Sequence, residues 1–150
     1  ADLPGLIEGA SEGAGLGHRF LGHVERCAAV LHLVDGSAED PAADYTTIRQ
    51  ELINYGGGIE DKPEIVVMTK CDALGPEAIE EAADAITQAC GRRPLMISSV
   101  SQTGLKPVLS AVYQHVAKRR EEEQAAADER ERKAAVKRGE LEEETPGWQP

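Results

Sequence analysis

Three short stretches of the 150-residue sequence concentrate groups that could recognise a polar ligand. Ala1-Asp2-Leu3-Pro4-Gly5 sets a carboxylate beside a glycine, and Thr69-Lys70-Cys71-Asp72 joins a lysine to a second carboxylate. Ser98-Ser99-Val100-Ser101 is a run of mostly small residues with backbone amides to offer. Charge-assisted hydrogen bonds from such groups are worth about 1.5–3 kcal/mol each. Each stretch also has a bland reading. Asp-x-Pro-Gly is a common turn, Lys70 and Asp72 could form a surface ion pair, and a Ser-rich loop usually caps a helix. Any one of them alone favours the bland reading.

What raises their weight is where they fall relative to the elements that must carry them. Val30 to Val34, Ile65 to Met68 and Leu95 to Ile97 are short apolar runs with β-branched residues, the pattern of strands buried on both faces of a parallel sheet. Between them, Asp40-Pro41 starts a helix with Tyr45, Ile48 and Leu52 on one face and Gly56 past its end. Pro76 to Cys90 forms a second, with Ile79, Ala82, Ala83 and Ile86 inward and Gly91 as the stop, and Leu105, Val108, Leu109, Val112 and Val116 describe a third packed helix. The result is β-α-β-α-β-α, a doubly wound α/β fold. In such sheets ligands gather beyond the carboxyl ends of the strands, which is where the second and third stretches fall.

Composition narrows the function classes. Sixteen Lys plus Arg against 27 Asp plus Glu give a net charge of -11, leaving no general attraction for DNA or anionic lipid. Apolar runs stop well short of the roughly 20 residues that span a bilayer, so no membrane segment is expected. The cysteines, Cys27, Cys71 and Cys90, are odd in number and lack paired metal spacing, and no basic-then-apolar leader opens the sequence; a reduced, cytoplasmic setting is expected. His32, in a strand, reads as a hydrogen-bonded core residue. Cys71 reads as incidental to its loop, with an exposed thiol open to oxidation.

Taken together and in this order, the three stretches match the later three of the five nucleotide-binding motifs of GTPases. Residues Asp2 to Ala10, then Gly13-Ala14-Gly15-Leu16-Gly17-His18-Arg19-Phe20-Leu21, closely resemble the glycine-rich second switch of the Obg family of ribosome-associated GTPases. The similarity continues through His23 to Cys27, Leu31 to Asp35 and Asp44 to Leu52, and covers most of residues 1 to 117. It implies a partial P-loop NTPase-like sheet, strands four to six of a G domain, and a GTP-hydrolysing switch that acts in large ribosomal subunit assembly. By the same resemblance Asp72 accepts the N1 proton and 2-amino group of guanine, the stem of Lys70 covers the purine face, and amides around Ser99 and Val100 donate to O6. Thr69, Cys71 and Ser98 complete those two loops. Asp2 would hold Mg2+ through a water and the Gly5 amide would approach a γ-phosphate, with Leu3 and Pro4 counted beside them among the GTP-binding residues. GTP or GDP, Mg2+ and the large ribosomal subunit are the implied ligands and partner, and a monomer is expected.

Three departures from the family pattern matter. Thr69 stands where an Asn is usual, Ser99 where Ala is usual, and no Gly-x-x-x-x-Gly-Lys-Ser/Thr motif occurs in the chain. Leu6 occupies the position where many GTPases place a water-orienting Gln, as in the family itself. Glu8, His18 and Arg19 are tempting substitutes, each better read as structural or solvated, so no catalytic residue is assigned. Ala1 opens at the edge of the magnesium motif, so the sequence is expected to be the carboxyl-terminal part of a longer protein whose missing amino-terminal part is itself a partner. Hydrolysis by these residues alone is not expected, and Val30 to Val34 is expected to become an exposed apolar edge.

A domain boundary is placed after Ala117, with residues 118 to 150 a charged extension. Lys118 to Lys137 is rich in helix formers with opposite charges three and four apart, and Gly139 with Glu142-Glu143-Glu144 points to a disordered end. Two other functions have some footing in the sequence. A dinucleotide site could use Gly13, Gly15 and Gly17, but their spacing is Gly-x-Gly-x-Gly and no strand directly precedes them. An interaction module would use the charged helix to bind a protein or ribosomal surface; lacking an apolar stripe, that helix reads first as solvated.

Overall fold

The computed structural model describes residues 27–139. Its strands and helices alternate as the apolar pattern requires. They are β1 (Val30–Asp35), α1 (Pro41–Tyr55), β2 (Glu64–Thr69), a 3₁₀ turn (Cys71–Ala73), α2 (Pro76–Cys90), β3 (Leu95–Met96) and α3 (Leu105–Lys137). The Asp40 carboxylate accepts from the Ala43 amide at 2.9 Å, and Pro41, which has no N–H to satisfy, opens α1. Pro76 opens α2 in the same way, and Gly56 and Gly91 stand just past the two helix ends. The three strands are parallel in the order β1-β2-β3, with Val30 opposite Glu64, Asp35 opposite Thr69, and Val67 opposite Leu95.

β2, in the centre, is buried on both faces, which explains its unbroken Ile65-Val66-Val67-Met68 run. On one face Val34, Val66 and Met68 pack with Tyr45 of α1 and Ala83 and Ile86 of α2. On the other, Ile65, Val67 and Ile97 pack with Val108, Ala111 and Val112 of α3. Burying each large side chain of this kind contributes about 1.5–3 kcal/mol.

Two sequence expectations need correcting. The Val30 to Val34 strand is covered on one face only: Val30, His32 and Val34 are buried, while Leu31 and Leu33 are 43% and 56% exposed. The cause is position. Among the described residues β1 is an edge strand, and α3 packs over β2 and β3. On α3 itself, Val108 is buried and Val112 partly so, but Leu105 and Leu109 are exposed. The packed stripe is Val108-Ala111-Val112, one turn-position away from the Leu105-Leu109 row.

Contacts divide the chain into two compact units, the first ending at His115 and the second beginning at Val116. In the second, the helix continues to Lys137 with its charged side chains in solvent. It carries its own i,i+4 pairs: Lys118 with Glu122 at 3.8 Å, Arg119 with Glu123 at 2.7 Å, and Glu129 with Lys133 at 2.6 Å. No helix among the described residues is long and apolar enough to cross a membrane.

Candidate functional site

Parallel strands deliver their following loops to one end of the sheet, so the turns after β1, β2 and β3 converge there. The ends of β1 and β2 are tied closely. The Gly36 amide donates to the Thr69 carbonyl at 3.0 Å, and the Thr69 hydroxyl donates to the Val34 carbonyl at 3.1 Å. A Cβ at position 36 would lie 2.9 Å from both Met68 Cγ and the Thr69 oxygen, so the close approach of the two strand ends needs glycine. Thr69 therefore acts here as a cross-strand tie, a part its hydroxyl performs without the amide of an Asn.

Lys70 follows in the left-handed region, φ 58° and ψ 31°, an uncommon state for a residue with a Cβ. That turn sends its side chain toward β1, where the ammonium meets Asp35 Oδ2 at 2.5 Å. The ion-pair partner of Lys70 is thus Asp35, not Asp72. Asp35 Oδ1 is held by the Ser37 amide at 2.9 Å and the Ser37 hydroxyl at 2.7 Å. The Lys70 ammonium first, then Ser37, hold the Asp35 carboxyl below the usual carboxylate range. Asp72 sits in the 3₁₀ turn with its side chain exposed, and among the described residues its carboxylate has no partner.

The base of this turn is fixed to β3. The Cys71 amide donates to the Ile97 carbonyl at 3.3 Å, and the Ile97 amide to the Met68 carbonyl at 2.9 Å. Cys71 is packed against the core, with its thiol donating to the Met68 carbonyl at 3.5 Å. Burial pushes that thiol up, which opposes the thiolate form and corrects the expectation of an exposed, oxidisable cysteine.

In the third loop Ser98 is buried, its hydroxyl accepting from the Ser101 amide at 3.0 Å and its amide donating to the Thr103 carbonyl at 3.1 Å. Ser99 and Val100 form the exposed tip, and no hydrogen bond among the described residues uses their amides. Gly104, at φ 74°, lets the chain return so tightly that a Cβ there would stand 1.9 Å from the Met96 oxygen. The structure thus gathers Thr69, Lys70, Cys71 and Ser98 into one hydrogen-bonded strand-end layer, with Asp72, Ser99 and Val100 on its solvent side. Asp2, Leu3, Pro4 and Gly5 lie outside the described residues, as do Glu8, His18 and Arg19. No group of three His, Cys, Asp or Glu side chains among the described residues could hold a metal ion.

Asp35 is a strand-end carboxylate to which the sequence pattern assigns no role, yet it is the ion-pair partner of Lys70. A signal existed: the rule that pointed to the turns after β2 and β3 applies equally to the Asp35-Gly36-Ser37 turn after β1. A cleft of about 340 Å³ between β1 and α1 reaches Asp35 but is lined by none of Lys70, Asp72 and Ser99. At the opposite end of the strands, Glu64 accepts from Tyr45 at 3.0 Å and pairs with His32 Nδ1 at 2.9 Å. His32, stacked on Tyr45 with ring centroids 4.8 Å apart, is the hydrogen-bonded core residue the sequence suggested.

The chain is similar to known GTPases over most of its length. Residues 1–70 match the family model described as 50S ribosome-binding GTPase. The GTPase Obg of Synechococcus sp. (strain JA-3-3Ab) is 53% identical over 114 residues, 76% of this chain and 30% of that protein. The GTPase Obg of Synechococcus sp. (strain JA-2-3B'a(2-13)) is 51% identical over 114 residues, 76% of this chain and 33% of the relative. That of Acidiphilium cryptum (strain JF-5) is 49% identical over 121 residues, 81% of this chain and 36% of the relative. The chain spans about a third of the length of the curated relatives it matches.

Proposed function

We propose a function from the premise that this chain, at about half identity over three quarters or more of its length, belongs to the Obg family of GTPases. Its α/β architecture is a partial P-loop GTPase fold. The reading is a guanine-nucleotide switch: Asp72 accepts from the N1 proton and 2-amino group of the base, Lys70 covers its face, and amides at Ser99 and Val100 donate to O6. The observation that carries it is the Cys71 to Ile97 hydrogen bond, which fastens the two loops to each other while, among the described residues, Asp72 and the amides of Ser99 and Val100 have no partner. A site waiting for a ligand with adjacent donors and a nearby acceptor needs just such unpaired groups.

Mg2+ belongs to the same reading, held through water by Asp2, whose carboxylate is the hard oxygen donor this ion prefers. With Thr69 committed to the Val34 carbonyl, the bridge an Asn would make to a phosphate loop is lost, so nucleotide binding weaker than an Asn-containing site is expected. The 150 residues hold no phosphate-cradling motif, so base recognition rather than hydrolysis is what they themselves would supply. A role in GTP hydrolysis and large-subunit assembly, a cytoplasmic setting, a monomeric state and a division near Ala117 into G-domain segment and charged extension complete the proposal. The test is binding of fluorescent GDP and ADP to the chain and to Asp72→Ala. Preference for GDP that disappears in the variant is expected; equal binding of both nucleotides, untouched by the substitution, would sink the assignment.

A further inference from the structure

We infer that Asp35 is a positioning residue for the base-facing lysine: its carboxylate anchors the Lys70 ammonium so that the lysine stem bridges the ends of β2 and β1 and Asp72 is left free for the base. The inference rests on the guanine reading and adds to it a residue that neither loop motif contains.

Four observations support it. The Lys70 backbone is at the end of β2 and its ammonium at the end of β1, so the four methylenes between them must cross from one strand end to the other. The anchor itself is fixed, because Ser37 holds the second Asp35 oxygen through both its amide and its hydroxyl. The distance between the strand ends is set by the Gly36 to Thr69 and Thr69 to Val34 hydrogen bonds. Yet the Lys70 side chain remains 61% exposed, so the stem is held without being covered.

Two consequences follow for a purine ring. An unanchored lysine samples many rotamers, and a base resting on it must order the chain; an anchored stem has already lost that freedom. Moreover, Asp72 stands only two residues along the chain from Lys70, a second carboxylate that a released ammonium could pair with. The commitment of Lys70 to Asp35 keeps Asp72 available, whereas removal of the Asp35 charge frees Lys70 to pair with Asp72 and compete with the guanine donors. Asp35 thus acts on both the affinity and the base preference, through Lys70.

The experiment measures binding of N-methylanthraniloyl GDP and ADP to the full 150-residue chain and to Asp35→Asn, Asp35→Glu, Lys70→Ala, the Asp35→Asn/Lys70→Ala pair, and Asp72→Ala, with thermal melting of each. Asp35→Asn should weaken GDP binding by about three- to tenfold and narrow the GDP-over-ADP ratio, since both ordering and charge competition act on the bound base. Asp35→Glu should restore part of the loss, and in the Lys70→Ala background the Asp35→Asn change should do nothing further. An unchanged dissociation constant in Asp35→Asn, or the same factor of loss with and without Lys70, overturns the role of Asp35. The Asp72→Ala arm tests the underlying reading separately: GDP preference that survives it sinks guanine recognition itself, while preference lost in Asp72→Ala beside an additive Asp35/Lys70 pair sinks the positioning role alone.

Discussion

Glu64 and Asp35 occupy opposite ends of the same pair of parallel strands, and each carboxylate is paired with a basic side chain. Around Glu64 the partners are His32, Tyr45 and, at 3.9 Å, Arg49, all gathered from β1 and α1. The Glu64 side chain is only 10% exposed, so its hydrogen bonds hold together a part of the core that water scarcely reaches. Asp35 is 36% exposed and its lysine more so, and there the strands are joined by backbone approach at Gly36 and Gly104 and by the Thr69 hydroxyl rather than by a buried carboxylate. One end uses polar side chains to build the fold; the other uses glycines to build it and leaves polar side chains over. Side chains left over at a strand end are the ones available to a ligand.

The contrast is broken most severely by Gly104→Ala. The new methyl must displace the Met96 carbonyl and hold a left-handed φ, so a loss of about 3–5 kcal/mol, or failure to fold, is expected in chemical denaturation. Gly75→Ala is the matched control. Nothing lies within 4 Å of a Cβ there, and a change within about 0.5 kcal/mol is expected. Equal tolerance of both substitutions would show that the carboxyl end of the sheet is not held by backbone approach.

Next in size is Glu64→Ala, which strips the buried Tyr45 hydroxyl and the His32 imidazole of their acceptor. A cost of about 2–4 kcal/mol is expected in urea unfolding, because two buried donors are left unpaired. Tyr45 also gives the interaction a pH signature. Burial first, and the Glu64 carboxylate second, push its hydroxyl up to about 12 from an ordinary 10.0. A group whose folded value is raised contributes stability that is fully present below its unfolded value, so this contribution should hold to pH 10 and fall away as pH climbs toward 12. Glu64 runs the other way: the His32, Tyr45 and Arg49 interactions outweigh burial and hold its carboxyl below the ordinary 4.5, so its share is present above that value and lost as pH falls through the folded one. Stability measured across pH should decline at both extremes, and Tyr45→Phe should flatten the alkaline limb and, by removing one of the hydrogen bonds that hold Glu64 low, also reduce the acid limb.

Much of this arrangement was readable in advance where a local rule governs it. Asp40-Pro41, Pro76, Gly56 and Gly91 mark the ends of α1 and α2 because capping and missing N–H groups act within a few residues. The strands followed from their apolar runs, and the turns after β2 and β3 from the topology rule. What escaped was set by register. Lys70 could be paired with Asp72 on sequence proximity, and only the alignment of Asp35 with Thr69 across the sheet shows that a residue 35 positions away is the nearer partner. The faces of β1 and α3 escaped for the same reason. Leu31, Leu33, Leu105 and Leu109 fit an apolar pattern, yet their exposure depends on which helix covers which strand.

The smallest expected effect on stability sharpens the comparison furthest. Asp35→Asn removes an ion pair that looks, by distance alone, stronger than the one at Glu64, but both partners stand in solvent and screening leaves such pairs worth less than about 1 kcal/mol. The Ser37 amide and hydroxyl can still bond an Asn oxygen, so the turn after β1 keeps its shape. Unfolding in urea should therefore move by no more than roughly half of the Glu64→Ala shift at the midpoint for the usual slopes. Nucleotide binding should rank the two variants in the reverse order. Glu64 lies at the far end of the strands, and at temperatures where its variant remains folded the loops after β1, β2 and β3 keep their ties through Gly36, Thr69 and Ile97. Parallel losses of stability and binding in both variants would mean that the two ends of the sheet are not separable, and the division between a carboxylate that builds and one that positions would fail.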